Sequence, residues 1–189
     1  MATRTTATIQ DVLRLANAGH RYELVNGQLV EMPPTGFEHG AVERRIGRLL
    51  GDFADAHHLG EVVVGEVLFQ LDSAGRLARA ADVAFVRRER LPRGPAAAGV
   101  FIGAPNLVVE IASPGNSASE FQQEIDEWLD HGAQIVLAVY PEHRSIVIWR
   151  QNGAVICHAN DDLTLDPVLP GFHCKVDEFF LPPPDQVRK

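Results

Sequence analysis

The sequence predicts an α/β (α+β) domain, a mixed β-sheet flanked by helices with a helix and a hairpin ahead of it. Three observations carry this expectation. Residues 80–86 and 106–112 are short, nearly continuous apolar runs of the kind found in core strands, and each carries one acid, Asp82 and Glu110. Residues 39–58 and 119–131 repeat their apolar side chains at helical spacing. The apolar run 134–140 directly follows the second of these helices, the order of a parallel strand reached through a crossover helix.

Each element follows from local chemistry. Ile9, Val12, Leu13 and Ala16 line one face of a first helix, with Thr8 as its cap and Gly19 as its stop. Residues 22–32 form a hairpin, because Asn26-Gly27 supplies the positive φ angles of a tight primed turn. In the long helix Val42, Ile46, Leu49, Leu50 and Phe53 point inward, and Gly60 ends it. Residues 61–71 and 79–86 are paired strands joined by the turn at 72–75, and 88–105 is a long loop. Residues 107–111 are the central strand, after which Ser113-Pro114 shapes the exit, since proline cannot continue a ladder. Phe121, Ile125, Trp128 and Leu129 face inward from the next helix, which Gly132 caps. Residues 145–149 and 154–158 pair around a second Asn-Gly turn, Asn152-Gly153. The tail carries a short strand near 173–176 and a loose end from Pro182.

Composition bounds the function. A chain of 189 residues suits a single domain over 1–189, and 46% hydrophobic with 22% charged residues fits a globular protein. No apolar run approaches the roughly 18 residues of a membrane span. The first ten residues have no apolar signal core, so the expected compartment is cytoplasmic. A net charge of −8 argues against coating nucleic acid through bulk electrostatics. Two arginine groups, Arg44, Arg45 and Arg48, and Arg76, Arg79, Arg87, Arg88, Arg90 and Arg93, form either a local basic groove or a solvated face paired with acids. Cys157-His158 and His173-Cys174 each offer one ligand per strand face, which excludes a structural zinc site as the expectation.

A lone acid in a core strand is costly unless something neutralises it. Two on neighbouring strands can share a divalent cation, which makes Asp82 and Glu110 candidate metal ligands.

The order and spacing of these features resemble the PD-(D/E)XK nuclease superfamily, and within it the Uma-two family of restriction-endonuclease-like proteins. The resemblance rests on Tyr22-Glu23-Leu24-x-x-Gly27, His39 opening the long helix, Asp82-Val83, and above all Ala104-Pro105-Asn106-Leu107-Val108-Val109-Glu110-Ile111-x-Ser113-Pro114. It implies a restriction-endonuclease-like three-layer core and metal-dependent phosphodiester hydrolysis on DNA. By that resemblance Asp82, Glu110 and the Ile111 carbonyl hold Mg²⁺ or Mn²⁺, and Glu23, His39 and Glu124 assist. The motif's lysine is missing. Ala112 occupies its usual place, Glu124 occupies the alternative place on the following helix, and the chain's lysines are Lys175 and Lys189. The expected activity is therefore a metal-dependent endonuclease weakened by that loss. The alternative is a catalytically degenerate nuclease fold that binds nucleic acid or protein. A homodimer through the C-terminal strands is a further expectation.

Overall fold

The computed structural model describes residues 6–92, 100–113, 115 and 117–182. The first helix, α1 (Ile9–Asn17), is anchored by Asp11, whose carboxylate accepts from the Thr8 backbone N–H at 3.0 Å. Strands β1 (Tyr22–Val25) and β2 (Gln28–Glu31) form the expected hairpin, with Asn26 and Gly27 at positive φ. The helix α2 (Phe37–Ala56) buries Val42, Ile46, Leu50 and Ala54, and each large side chain among these stabilises by about 1.5–3 kcal/mol. It starts two residues before the expected His39.

Strands β3 (Gly60–Gln70) and β4 (Ala78–Arg87) pair antiparallel along their length. Between Val64 and Val67 the register slips, leaving extra β3 residues opposite Asp82. This bulge frees the Gly65 N–H from the ladder, and it bonds the Glu43 carboxylate of α2 at 2.7 Å. The loop expected over 88–105 holds a 3₁₀ turn at Arg88–Arg90 and a short strand, β5 (Phe101–Ile102), parallel to β3. Residues 93–99, and Arg93 with them, lie outside the described residues.

Strand β6 (Leu107–Ile111) runs parallel to β7 (Ile135–Tyr140) through the crossover helix α3 (Ala118–Asp130). The α3 N-terminus is a capping box, with Ser117 Oγ accepting from Glu120 N–H and Glu120 accepting from Ser117 N–H. Strands β8 (Ser145–Arg150) and β9 (Gly153–His158) complete the main sheet, in the order β2-β1-β4-β6-β7-β8-β9. The tail differs from expectation. Instead of one short strand it forms a hairpin of β10 (Asp162–Leu165) and β11 (Leu169–Lys175), which buries Leu163, Leu165 and Phe172. Pro183 and Pro184 of the expected loose end lie outside the described residues.

The sheet separates two cores. On one face α2 packs with the β10–β11 hairpin over Val83, Phe85, Val109 and Leu137. On the other, α3 sets Trp128 edge-on to Phe69 over Ala84, Val108 and Val136. Cys157 and Cys174 are free and buried in the first core, and burial, followed by Glu178 and Asp162, pushes the Cys174 thiol up to about 12. Neither thiol is expected to react with iodoacetamide in the native protein near pH 8, and both should react once urea unfolds it. Mass spectrometry before and after unfolding checks this, and native alkylation of Cys174 would contradict the packing.

The sheet has one topological irregularity. Along one edge of β4 the partner changes, from β1 at Ala78 to β6 at Val83, Ala84 and Phe85. Residues 79–82 lie in the fork where β1 and β6 part, and with no strand to pair there their polar groups must find other partners.

Candidate active site

The fork is closed by side chains. Glu23 on β1 accepts from the Ala80 backbone N–H at 2.8 Å and from Arg79 Nη1 at 2.6 Å. Arg79, only 7% exposed, also donates from Nε to Glu127 Oε2 on α3 at 2.7 Å. One guanidinium thus ties β1 and α3 to β4. Burial works against its charge, but the Glu23, Glu124 and Glu127 carboxylates outweigh that and raise its pKa. Glu23 itself sits above the usual carboxylate range. Burial raises it, Arg79 and the Ala80 amide bring it part-way back, and Glu127 adds to the rise.

Asp82 is held from two directions. Its Oδ2 accepts from the Ile111 backbone N–H at 2.8 Å, and its Oδ1 lies 3.0 Å from His39 Nε2 on α2. The other ring nitrogen of His39, Nδ1, lies 3.1 Å from Ser113 Oγ. Burial lowers the His39 pKa, but the Asp82 hydrogen bond and charge, with Glu43, carry it above its ordinary value. Glu43 stands one turn along α2, raised by burial and by Asp82 against the Gly65 amide bond.

Glu110 projects toward the opposite layer, where Trp128 Nε1–H donates to its Oε1 at 2.8 Å. Burial raises its carboxyl well above the usual range, and the charges of Glu124, Asp82 and Glu23 push the same way. Glu124, half-buried on α3, is held up to about 8 by burial, then Glu23, with Arg79 opposing and Asp82 and Glu127 adding. The fork is therefore a pocket of crowded carboxylates whose buried guanidinium is already bonded to two of them.

The fold brings Asp82, Glu110, Glu23 and Glu124 within one another's electrostatic reach and sets His39 on Asp82. Among the described residues, no three His, Cys, Asp or Glu side chains form a ready-made ligand set. Sequence reasoning missed several members. The sequence places Arg79 among arginines of a basic groove or a solvated face, yet it is buried. Ser113 was read only as a strand exit. Glu43 was not singled out, although its spacing of four from His39 puts both on one helix face. Glu127 was passed over likewise, one turn beyond Gln123 and Glu124 on α3.

A family model, Uma2, described as "Putative restriction endonuclease", matches residues 9–177. The chain belongs to the Uma2 family. The matched span runs from α1 into the 3₁₀ turn at Val176–Phe179 and includes every residue of the fork. Among solved structures the Uma2 chain is similar to a crystal structure described as a "putative nuclease belonging to DUF820" from Anabaena variabilis ATCC 29413. The TM-score is 0.79 at 18% identity, covering 92% of this chain and 97% of the other. That likeness establishes a shared fold. No curated protein matches the Uma2 chain. None of its described helices is long and apolar enough to cross a membrane.

Proposed function

We propose that this Uma2 protein is a divalent-cation-dependent endonuclease that hydrolyses phosphodiester bonds in DNA. Asp82, Glu110 and the Ile111 carbonyl would hold Mg²⁺ or Mn²⁺. The observation that carries this reading is the crowding of carboxyl groups at the fork, whose ionisation needs a cation beyond Arg79. Glu110 is buried among Glu124, Asp82 and Glu23, while Arg79 is committed to Glu23 and Glu127. An anionic donor set made only of oxygens suits a hard cation such as Mg²⁺ or Mn²⁺. When bound, the cation supplies Lewis acidity toward the phosphate and a more acidic water.

The chain's own residues position everything else. The Ile111 amide and His39 hold both oxygens of Asp82, and Trp128 fixes Glu110. Glu23 acts through Arg79, clamping the fork shut on the β1 side. Glu124 forms the α3 wall. Arg44 and Arg48 are exposed on α2, the helix that carries His39, where they can meet the phosphate backbone of DNA.

A second reading, a degenerate nuclease fold that binds nucleic acid or protein without turnover, is favoured by Ala112 and Glu124 standing where the resemblance implies lysine. A homodimer would pair the outer edge of β9, which has no strand partner among the described residues. Calorimetric titration of Mn²⁺ into the parent and Asp82→Asn, with and without a DNA duplex, separates the two readings. The endonuclease reading expects binding that weakens in Asp82→Asn by more than the roughly tenfold at which losses of outer-shell partners begin, and duplex cleavage that the variant lacks. A parent that neither binds Mn²⁺ with duplex present nor cuts it would establish the degenerate reading instead.

A further inference from the structure

The proposed site gives no role to the contact between Ser113 Oγ and His39 Nδ1. We infer that Ser113 is a positioning residue, whose hydroxyl fixes the His39 imidazole with its Nε2–H on Asp82. The inference deepens the nuclease reading and rests on it for its importance, though not for its test.

Among the described residues each ring nitrogen of His39 has one partner, Asp82 Oδ1 3.0 Å from Nε2 and Ser113 Oγ 3.1 Å from Nδ1. The partners lie 43 and 74 residues away along the chain, so the arrangement belongs to the folded structure and not to a local turn. An ionised carboxylate only accepts, so Nε2 carries the hydrogen that reaches Asp82. In the neutral ring Nδ1 is then a lone pair, and the Ser113 hydroxyl must donate to it. In the imidazolium Nδ1 carries a hydrogen, and the same hydroxyl rotates and accepts. A hydroxyl serves both states, whereas a methyl group serves neither. An imidazole bonded at one nitrogen can turn about its Cβ–Cγ bond, but one bonded at both cannot turn without breaking a contact.

The placement on the chain supports the same role. Ile111, whose amide holds Asp82 Oδ2, ends β6, and Ser113 lies two residues beyond it. The exit of one strand therefore grips Asp82 twice, directly through an amide and indirectly through His39. His39 sits in the first turn of α2, with its side chain only 10% exposed.

The test uses the metal-free, full-length ¹⁵N-labelled protein. In the parent, the His39 Nε2–H proton should be visible by NMR and protected from exchange with water. Ser113→Ala should remove that resonance or speed its exchange at least tenfold, while Ser113→Thr, which restores a hydroxyl, should keep it. Mn²⁺ titration of the same samples should show the alanine variant weakened on the order of tenfold, the low end for outer-shell partners of metal ligands, and the threonine variant near the parent. An exchange rate in Ser113→Ala equal to the parent's would overturn the inference. A parent that binds no Mn²⁺ would instead remove the metal reading, while the imidazole resonance would still decide the role of Ser113.

Discussion

Replacing Arg79 with methionine is expected to destabilise the fold by about 3–5 kcal/mol, the cost typical of removing one partner from a buried ion pair. Glu23 and Glu127 would each lose their guanidinium contact, at 2.6 and 2.7 Å, in a place where water has little access. Urea denaturation gives the free energy directly. Arg79→Lys should fall between parent and methionine, because a single ammonium cannot present the Nε and Nη1 donors that reach carboxylates on two different elements. Adding Glu23→Gln to Arg79→Met should recover part of the loss, since the stranded charge is then gone. A loss below about 1 kcal/mol for Arg79→Met, within the range of exposed ion pairs, would show that the fork is wetter than its burial indicates.

Glu110→Gln is expected to remove cleavage and at the same time make the metal-free protein more stable. The amide keeps an oxygen to accept from Trp128 Nε1–H, so packing is preserved. It removes a charge that burial, Glu124, Asp82 and Glu23 all disfavour. The sign follows from proton linkage. The folded-state pKa of Glu110 lies well above its ordinary 4.5, so the folded protein holds a proton that the unfolded chain releases over that interval. The contribution of Glu110 to stability is greatest below about 4.5 and falls as pH rises toward its folded pKa. Parent and variant should therefore melt alike near pH 4 and diverge as pH rises, the variant melting higher by about 2–4 °C for each kcal/mol gained. Cleavage should drop by at least the 10²–10³-fold typical of lost electrostatic catalytic groups. Loss of activity without the pH-dependent gain would mean that a bound cation, or a protein charge, already neutralises Glu110 in the resting protein. A variant that cuts as well as the parent would remove Glu110 from the catalytic set.

Much of the fold was legible in the sequence because its signals are local. Continuous apolar runs mark β6 and β7, Asn-Gly pairs mark both hairpins, and the spacing of Val42, Ile46 and Leu50 marks α2. The β10–β11 hairpin escaped because its apolar residues, Leu163, Leu165 and Leu169, are few and split by a turn. Their burial depends on the α2 face they cover. Asp82 and Glu110 stood out as lone acids in apolar runs, but the chemistry around them is long-range. Arg79 meets partners 56 and 48 residues away, and nothing adjacent to it distinguishes it from the exposed arginines nearby. The fork itself arises from two strands, far apart in sequence, sharing one edge of β4, and no local pattern encodes that.

The end of the sheet at β9 bears on how copies of this chain behave in a crowded solution. Its outer edge has no strand partner among the described residues, Val155 and Ile156 are 57% and 62% exposed, and residues 153–157 carry no ionised side chain to discourage a visiting strand. Mutual repulsion from a net charge of −8 opposes the approach of neighbouring copies. That repulsion reaches only about 8 Å at physiological ionic strength and about 3 Å in molar salt. Pairing of these edges is therefore expected to be opposed in dilute buffers and favoured in concentrated salt.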